Sequence, residues 1–235
     1  MPVRAKHCDI HHLANRLNDL YGPRIWRSHS DSVSELVATI LSQHTSDTNT
    51  ARSFASLRER FPTWQEVIDA TPDEIADAIR TGGLANIKAP RIQAVLEAIE
   101  DQFGEFAFDS LKSLTIEDAR AALTALRGVG PKTASCVLLF SFGMPAMPVD
   151  THVHRVSQRL GLVPRRDNAE AAQTTLESAL GDDRDEVYAF HVNLIAHGRT
   201  VCLARKPRCE RCTLAECCDY VNERHDWRPT PETSV

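Results

Sequence analysis

LRGVGPKTASCVLLFSFGMPAMPVD, residues 126 to 150, is the stretch on which the predicted fold depends. It opens with Gly128-Val129-Gly130, where the glycines let the backbone turn sharply and approach a ligand closely. Pro131 suits the first position of a helix that follows, because the first helical residues need no N–H partner. The pattern predicts helix, hairpin and helix, with hairpin amides and a helix N-terminus offering hydrogen-bond donors to a phosphate.

The residues after the hairpin decide between two interpretations of it. An ordinary turn between helices can have the same glycines, so the GVG sequence alone is ambiguous. Pro131-Lys132-Thr133 follows directly and adds a basic side chain and a hydroxyl at the helix start. This combination favours a contact with a DNA backbone, which holds a strand without recognising its sequence.

Two charged residues of this stretch each stand at a predicted helix N-terminus. Lys132 lies in a first turn, where the helix dipole disfavours the ammonium form and so favours a reactive amine. Asp150 precedes Thr151-His152-Val153 and suits either a helix cap or a carboxylate facing positive charge on a sugar. A single lysine is most often a solvated surface residue and most such Asp residues only cap, so the hypothesis of a nucleophile and a carboxylate rests on the pair.

The rest of the chain predicts an all-α protein. Apolar residues recur at i, i+3, i+4, i+7 and i+8 between residues 33 and 41, the spacing of one helix face. Thr63 with Glu66 and Thr71 with Glu74 have the spacing of capping boxes, which start helices. No alternating strand pattern and no repeat of fixed period stands out.

Composition places the chain among ordinary globular proteins. Its 235 residues are 42% hydrophobic and 25% charged, with a formal net charge of -5. No apolar run reaches the roughly 18 residues of a membrane span, and the first residues have no signal-peptide core, so we expect a cytoplasmic, nucleoid-associated protein without membrane contact. The negative charge weakly opposes nucleic-acid binding, but basic residues gather between Arg199 and Arg211 and can bind phosphates locally.

Five of the seven cysteines lie between residues 202 and 218. Without a secretion signal, this clustering favours a metal or iron–sulfur site over disulfides. Spacing alone leaves zinc and iron–sulfur clusters both open, since each is bound by four cysteines. Cys8 and Cys136 are predicted to be buried or idle thiols, and the C-x6-C-x2-C-x5-C pattern consists of Cys202, Cys209, Cys212 and Cys218.

Together these motifs resemble the endonuclease III family of DNA glycosylases, within the helix-hairpin-helix-GPD superfamily. The resemblance covers roughly residues 10 to 222, and its matching segments are LRGVGPKTA (126–134), MPVDTHVHRV (147–156) and HGRTVCLARKPRCERC (197–212), with looser matches at ILSQHTSD (40–47) and GLANIKA (83–89).

The resemblance implies a bifunctional DNA glycosylase and AP lyase that acts on oxidised pyrimidines in duplex DNA. By it, Lys132 attacks C1′ of the damaged nucleotide, and the resulting Schiff base permits strand nicking by β-elimination. Asp150 is implied to activate the amine and stabilise the sugar cation. The four cysteines are implied to hold a [4Fe-4S] cluster, with Cys218 rather than Cys217 as the last ligand.

Three groups of DNA contacts follow from the same resemblance. The target base must leave the stack, and side chains of His44 (or Gln43) and Leu84 are implied to fill the vacated space. The family usually has glutamine where His44 stands, so substrate choice is open; the alternatives are a helix C-cap for His44 and core packing for Leu84. The remaining implied contacts are the hairpin residues Gly128, Val129, Gly130 and Thr133 and a phosphate clamp of Arg205, Lys206 and Arg208, for which the alternative is a solvated basic loop.

The resemblance implies an architecture of two domains, and we expect the protein to be a monomer. Residues 34–144 are expected to form a six-helix barrel with the hairpin, and residues 1–33 with 145–227 an iron–sulfur domain. Residues 228–235 are expected to be disordered. Lys132 and Asp150 are expected on opposite walls of a cleft that accepts double-stranded DNA with damaged or abasic sites.

Other functions stay open at this point. One is a mismatch glycosylase for uracil or thymine, which the unusual His44 loop allows. Another is a non-catalytic iron–sulfur DNA-binding sensor, although such a protein could lose Lys132 or Asp150 and this chain has both. A metal hydrolase is disfavoured, because the His152-x-His154 pair has no helical i, i+4 partner and third ligand.

Overall fold

The prediction of an all-α protein is confirmed. A computed structural model describes residues 8–104 and 106–222, and within these ranges it contains helices and no β-strand. The predicted disordered tail, 228–235, lies outside the described residues. The α-helices are α1 (Ile10–Tyr21), α2 (Ser32–Leu41), α3 (Asp47–Arg60), α4 (Trp64–Asp69), α5 (Pro72–Ala78), α6 (Ala85–Phe103), α7 (Ile116–Ala125), α8 (Pro131–Val137), α9 (Thr151–Leu160), α10 (Ala169–Leu180), α11 (Arg184–Thr200) and α12 (Asp219–Asn222).

The chain folds into two compact units. One is the continuous segment Arg27–Met144, which contains α2 to α8. The other combines Met1–Trp26 with Pro145–Val235, and so joins α1 to α9, α10, α11 and α12. Neither unit has a described helix long and apolar enough to cross a membrane.

Helix starts in the continuous unit are determined by local capping. Asp31 accepts a hydrogen bond from the Ser34 amide at 2.8 Å and begins α2. Both predicted capping boxes are confirmed, since the hydroxyl and carboxylate of each pair bond the other's backbone amide. The apolar face of α2 is fully buried and packs on α8 and α3.

A π-helical turn extends α8 towards its C-terminus. Leu138–Phe142 continues directly from α8 in this wider form and ends at Gly143, whose φ of 68° is left-handed. All four residues from Cys136 to Leu139 are almost fully buried. The start of α8, where Lys132 lies, is therefore anchored by an apolar core segment behind it.

In the discontinuous unit, α1 packs against α11, and α9 packs against α11 as well. Leu13 and Leu17 of α1 are completely buried in that contact region. Arg16 on the same helix donates to Glu216 Oε1 at 2.8 Å and to the Thr213 carbonyl at 2.6 Å. These bonds connect α1 to the segment that carries the last cysteines.

The expectation that Cys8 is a buried or idle thiol is wrong. Cys8 and Cys217 form a disulfide whose Cα atoms are 5.5 Å apart. Their sequence separation of 209 residues hides the pairing from any local pattern, and the packing of α1 on the C-terminal helices creates it. Cys136 is buried, as predicted.

Candidate active site and metal centre

The glycine hairpin lies between α7 and α8. Gly128 has a φ of 92°, a left-handed conformation that favours glycine, and a Cβ added there would lie 3.1 Å from Cγ and Nε of Arg91. Val129 is buried and its amide donates to the Leu126 carbonyl at 3.0 Å. Gly130 is the N-cap of α8. The hairpin therefore contributes its backbone to the surface, while the Val129 side chain packs inward.

Lys132 is the second residue of α8 and is half-buried. Its charge acts on Glu35 of α2, which lies in the same unit. Burial raises the pKa of the Glu35 carboxyl, while a hydrogen bond from Ser30 Oγ at 3.3 Å and the positive charge of Lys132 lower it in part. The structure thus places a carboxyl group with raised proton affinity near the amine. Thr133, the next residue, is buried.

Glu35 is a site residue that our sequence reasoning missed. The available signal was a single acidic residue inside the apolar pattern of residues 33 to 41. A charge beside a buried helix face is unusual, and such groups are candidates for functional sites.

Asp150 is the N-cap of α9, as the capping interpretation predicted. Its Oδ1 accepts a hydrogen bond from the Val153 amide at 2.7 Å, and its carbonyl accepts from the His154 amide at 2.8 Å. The side chain is half-buried. These bonds hold the carboxylate in one orientation, because the helix start determines the position of both donors.

His44 and Leu84 both have left-handed backbone conformations, with φ of 54° and 51°. The helix C-cap interpretation of His44 is wrong, because α2 ends at Leu41 with Ser42 as its cap. Core packing of Leu84 is also wrong, since this side chain is 49% exposed. Left-handed φ is costly for residues other than glycine, and such strain gathers at functional sites.

Two residues of α6 donate hydrogen bonds to the loops that carry His44 and Leu84 and to the glycine hairpin. Lys88 is buried and its Nζ donates to the carbonyls of Leu41 at 2.8 Å and Gly82 at 2.9 Å, one at the start of each loop. Burial lowers the pKa of Lys88. Arg91 donates from Nε to the Gly128 carbonyl at 2.9 Å, and also from Nη2. Its Nη1 donates to Gln43 Oε1 at 2.9 Å.

Sequence reasoning gave no role to Lys88 or Arg91. Lys88 precedes Ile92 by four residues and so falls on the buried face of α6, which is the one signal that could have identified it. The hydrogen bonds of Arg91 also distinguish Gln43 from His44, which the sequence did not. Gln43 is engaged by Arg91, whereas His44 is exposed beside it.

Replacing Lys88 with Met is expected to lower the free energy of unfolding by about 2–4 kcal/mol, since two buried carbonyls lose their donor. Urea unfolding of the protein checks this, with Lys112→Met, an exposed lysine, as the control. We expect DNA affinity to fall in Lys88→Met as well, because both loops lose an anchor. A Lys88→Met protein as stable as wild type would show that these bonds do not support the loops.

The basic loop between Cys202 and Cys209 projects its charged residues into solvent. Arg205, Lys206 and Arg208 are exposed, and Lys206 has a left-handed φ of 59°. The Arg208 amide donates to the Val201 carbonyl at 2.9 Å, and its Nη1 donates to the Thr200 carbonyl at 3.2 Å. These bonds close the base of the loop onto the end of α11.

The four predicted cysteine ligands line a single pocket in the discontinuous unit, together with His197 and Arg159. Arg159 Nη1 donates to Cys202 Sγ at 3.3 Å, and His197 Nε2 lies 3.6 Å from Cys212 Sγ. Burial raises the pKa of Cys218 to about 12 and also raises the pKa of Cys212. Buried thiols with raised pKa fit a site in which a bound metal group, and not solvent, stabilises the thiolates.

The spread of the thiols distinguishes between metal groups. A tetrahedral zinc ion with Zn–S bonds of about 2.3 Å sets its sulfurs roughly 3.8 Å apart. Among the described residues, the group of three or more ligand atoms within 4.8 Å of one another is Cys8, His12 and Cys217, and it includes none of the four pocket cysteines. The sulfurs of the four pocket cysteines are therefore not gathered at the spacing of a single zinc ion.

The comparisons with known proteins agree with this geometry. The family model described as HhH-GPD superfamily base excision DNA repair protein matches residues 37–181. Endonuclease III of Thermotoga maritima is 35% identical over 203 residues, covering 86% of this chain and 90% of the relative. A putative DNA glycosylase of Arabidopsis thaliana is 37% identical, but the chain spans only 55% of its length.

A structural relative extends the agreement to the whole described fold. A trapped covalent intermediate of endonuclease III with DNA superposes with a TM-score of 0.78 at 28% identity, covering 92% of this chain and 97% of that one. Endonuclease III of Escherichia coli is 32% identical over 79% of this chain. The chain therefore belongs to the HhH-GPD superfamily and, within it, to the endonuclease III family of base excision repair DNA glycosylases with AP lyase activity.

Proposed function

We propose that the protein removes oxidised pyrimidines from double-stranded DNA and then nicks the strand, with Lys132 as nucleophile and Asp150 as the supporting carboxylate. The observation that carries the proposal is the position of Lys132, half-buried in the first turn of α8 directly after the glycine hairpin. The covalent DNA intermediate trapped in the structural relative supports an attacking group of this kind.

In the proposed reaction, the neutral amine of Lys132 attacks C1′ of the damaged nucleotide and the bond from C1′ to the base breaks. The electrons of that bond leave with the base. The nitrogen lone pair then expels O4′ from C1′, so the sugar ring opens, O4′ takes up a proton and the N–C1′ bond becomes a Schiff base. The Schiff base allows loss of a C2′ proton, and the electrons of that C–H bond form a C2′–C3′ double bond as the C3′–O bond breaks and the 3′ phosphate leaves. Asp150, held by the Val153 amide, stabilises the positive charge that develops on the sugar.

DNA is the proposed partner, and the loop geometry supports three contact regions on it. His44, Leu84 and Lys206 are the non-glycine residues with positive φ in the described ranges, and each belongs to a different predicted contact. His44 is the better candidate than Gln43 for filling the gap left by a displaced base, because Arg91 engages Gln43. The exposed Leu84 is the proposed second gap residue.

The hairpin and the basic loop are the proposed phosphate contacts. Gly130 has no atom within 4 Å of where a Cβ would lie, so a strand can approach its backbone closely, and the Arg91 bonds hold the hairpin in place. Arg205, Lys206 and Arg208 supply positive charge on a loop closed at its base. Thr133 is buried, so its proposed part is support of the helix start instead of direct contact.

A [4Fe-4S] cluster is the proposed cofactor, bound by Cys202, Cys209, Cys212 and Cys218. Four thiols that line one pocket without being gathered at the spacing of a single zinc ion support it. The group supplies structural cross-links between cysteines in a segment of short turns. Arg159 donates an N–H group to the Cys202 sulfur and stabilises thiolate charge there, and the His197 ring nitrogen lies beside the Cys212 sulfur.

Borohydride trapping on a panel of duplexes tests the proposed function. The panel contains thymine glycol, an abasic site, uracil opposite guanine, thymine opposite guanine, and adenine opposite 8-oxoguanine. We expect a covalent adduct with thymine glycol and with an abasic site, and little with the mismatched duplexes. An adduct that forms only on the uracil or thymine mismatches would replace the oxidised-pyrimidine assignment with a mismatch glycosylase.

A further inference from the structure

A pair of cysteines outside the four-ligand set meets beside the metal pocket. Cys8 precedes α1 and is half-buried, while Cys217 is 4% exposed and directly precedes the ligand Cys218. Their Cα separation of 5.5 Å is the usual one for a disulfide, and the two sulfurs are bonded. Neither residue has a part in the proposed excision reaction.

Noncovalent contacts also hold α1 against the segment that contains Cys217. Arg16 of α1 donates hydrogen bonds to the Glu216 carboxylate and to the Thr213 carbonyl, so α1 is bonded to the segment just before Cys217. Leu13 and Leu17 of α1 are completely buried, which anchors this helix in the unit. Because these contacts do not involve the two sulfur atoms, we expect them to keep the reduced thiols close enough for the bond to close again.

We propose that Cys8 and Cys217 are a reversible thiol–disulfide pair whose closure locks the last part of the metal-binding segment to α1. The oxidant is a low-molecular-weight disulfide. The Cys8 sulfur, the more exposed of the two, attacks one sulfur of it and releases one small thiol. The Cys217 sulfur then attacks Cys8 and releases the second. The two protein thiols lose two protons and two electrons, and the small disulfide takes them up as two thiols.

Closure of the bond affects the metal pocket through the chain itself. Cys217 and Cys218 are adjacent, and Cys212 is linked to the same segment by the Cys212 carbonyl, which accepts from the Ala215 amide at 3.2 Å. With Cys217 fastened to α1, this segment cannot move away from the pocket without moving α1. The oxidised protein therefore retains its metal group longer than the reduced protein does.

A second metal site is the competing interpretation of the same residues. Ligand atoms of Cys8, His12 and Cys217 lie within 4.8 Å of one another. The sulfurs are bonded to each other, however, and a disulfide leaves no thiolate for a metal. His12 is exposed at the surface, so only one of the three groups is buried.

Mass spectrometry of the cluster-loaded, full-length protein tests the pair. The protein is equilibrated in mixtures of reduced and oxidised glutathione, alkylated, and digested without reduction. We expect a linked peptide that joins Cys8 to Cys217 in oxidising mixtures and is lost in reducing ones. Cys8→Ser should not form it, and Cys136→Ser, a buried cysteine of the other unit, should form it as wild type does.

Loss of visible absorbance in the presence of an iron chelator measures the effect on the metal group. We expect the oxidised wild type to lose it several-fold more slowly than the reduced wild type, and Cys8→Ser to lose it at the fast rate in both mixtures. Cys217→Ser is a second variant with the same expectation. The proposal is overturned by equal rates in both redox states, by absence of the linked peptide at every ratio, or by a zinc ion per reduced chain that disappears in His12→Ala.

Discussion

Lys132→Gln is expected to abolish borohydride trapping and strand nicking, with a loss of roughly 10³-fold or more in the single-turnover rate of excision. The amide of glutamine cannot attack C1′ or form a Schiff base, yet it is similar in length and suits the first turn of α8. We expect DNA affinity within about threefold of wild type, because the hairpin backbone and the Arg91 bonds remain.

Lys112→Gln is the matched control for this experiment. Lys112 is exposed, and its Nζ lies 2.5 Å from Asp109 Oδ1 in a surface ion pair. Loss of this ion pair should leave the rates of base excision and strand nicking unchanged. Base release and strand cleavage are measured separately on the same duplex. If Lys132→Gln loses DNA binding as severely as excision, Lys132 supports the fold instead of the chemistry. If it still nicks at the wild-type rate, another residue is the nucleophile.

Cys218→Ser is expected to lose the brown colour of an iron–sulfur protein together with soluble folded protein. A hydroxyl is a poor ligand for the metal group, and residues 201 to 218 contain only short turns between α11 and α12. Binding of a structural metal group contributes directly to folding, so its loss is comparable with the net stability of about 5–15 kcal/mol that a protein has.

Cys217→Ser tests the ligand assignment at the adjacent position. Cys217 bonds to Cys8 and does not line the four-cysteine pocket, so this variant should keep its colour and its iron content. Iron and sulfide analysis, visible absorbance and thermal unfolding are measured on both variants. A colourless, stable Cys218→Ser protein with zinc bound would overturn the cluster, and loss of iron only in Cys217→Ser would exchange the two ligands.

The parts of the fold that the sequence predicted are those determined by neighbouring residues. A capping box needs two residues three positions apart, and both predicted boxes form. The cap at Asp150 likewise depends on an amide three residues away. The helix-hairpin-helix pattern and the all-α class are local in the same sense, because periodicity and turn residues determine them.

The parts that escaped prediction depend on contacts between distant residues. Lys88 reaches a carbonyl 47 positions away, and Arg91 one that is 37 positions away. The disulfide joins residues 209 positions apart. Glu35 gained its importance from packing of α2 on α8, which brings it near Lys132. Rules based on the spacing of neighbouring residues cannot predict any of these contacts.

Backbone conformation explains the misjudged loop residues. A leucine between Gly83 and Ala85 has the composition of a buried residue, so core packing was a reasonable alternative for Leu84. In the structure Leu84 has a left-handed φ, and its side chain is 49% exposed. Residue propensities do not predict a left-handed backbone for leucine. The hydrogen bond from Lys88 Nζ to the Gly82 carbonyl, which supports this loop, comes from a side chain on α6 and is not apparent from the loop sequence.

The division of the chain into a continuous and a discontinuous unit determines the order in which a ribosome can complete the protein. Arg27–Met144, with the hairpin and Lys132, can form as soon as it has been synthesised, whereas α1 must wait for α11. At ~5–20 residues per second this delay is on the order of ten seconds or more, during which the Leu13 and Leu17 face of α1 has no partner. Helix α1 is thus synthesised early and packed late, and Cys218 leaves the ribosome well after the hairpin and Lys132.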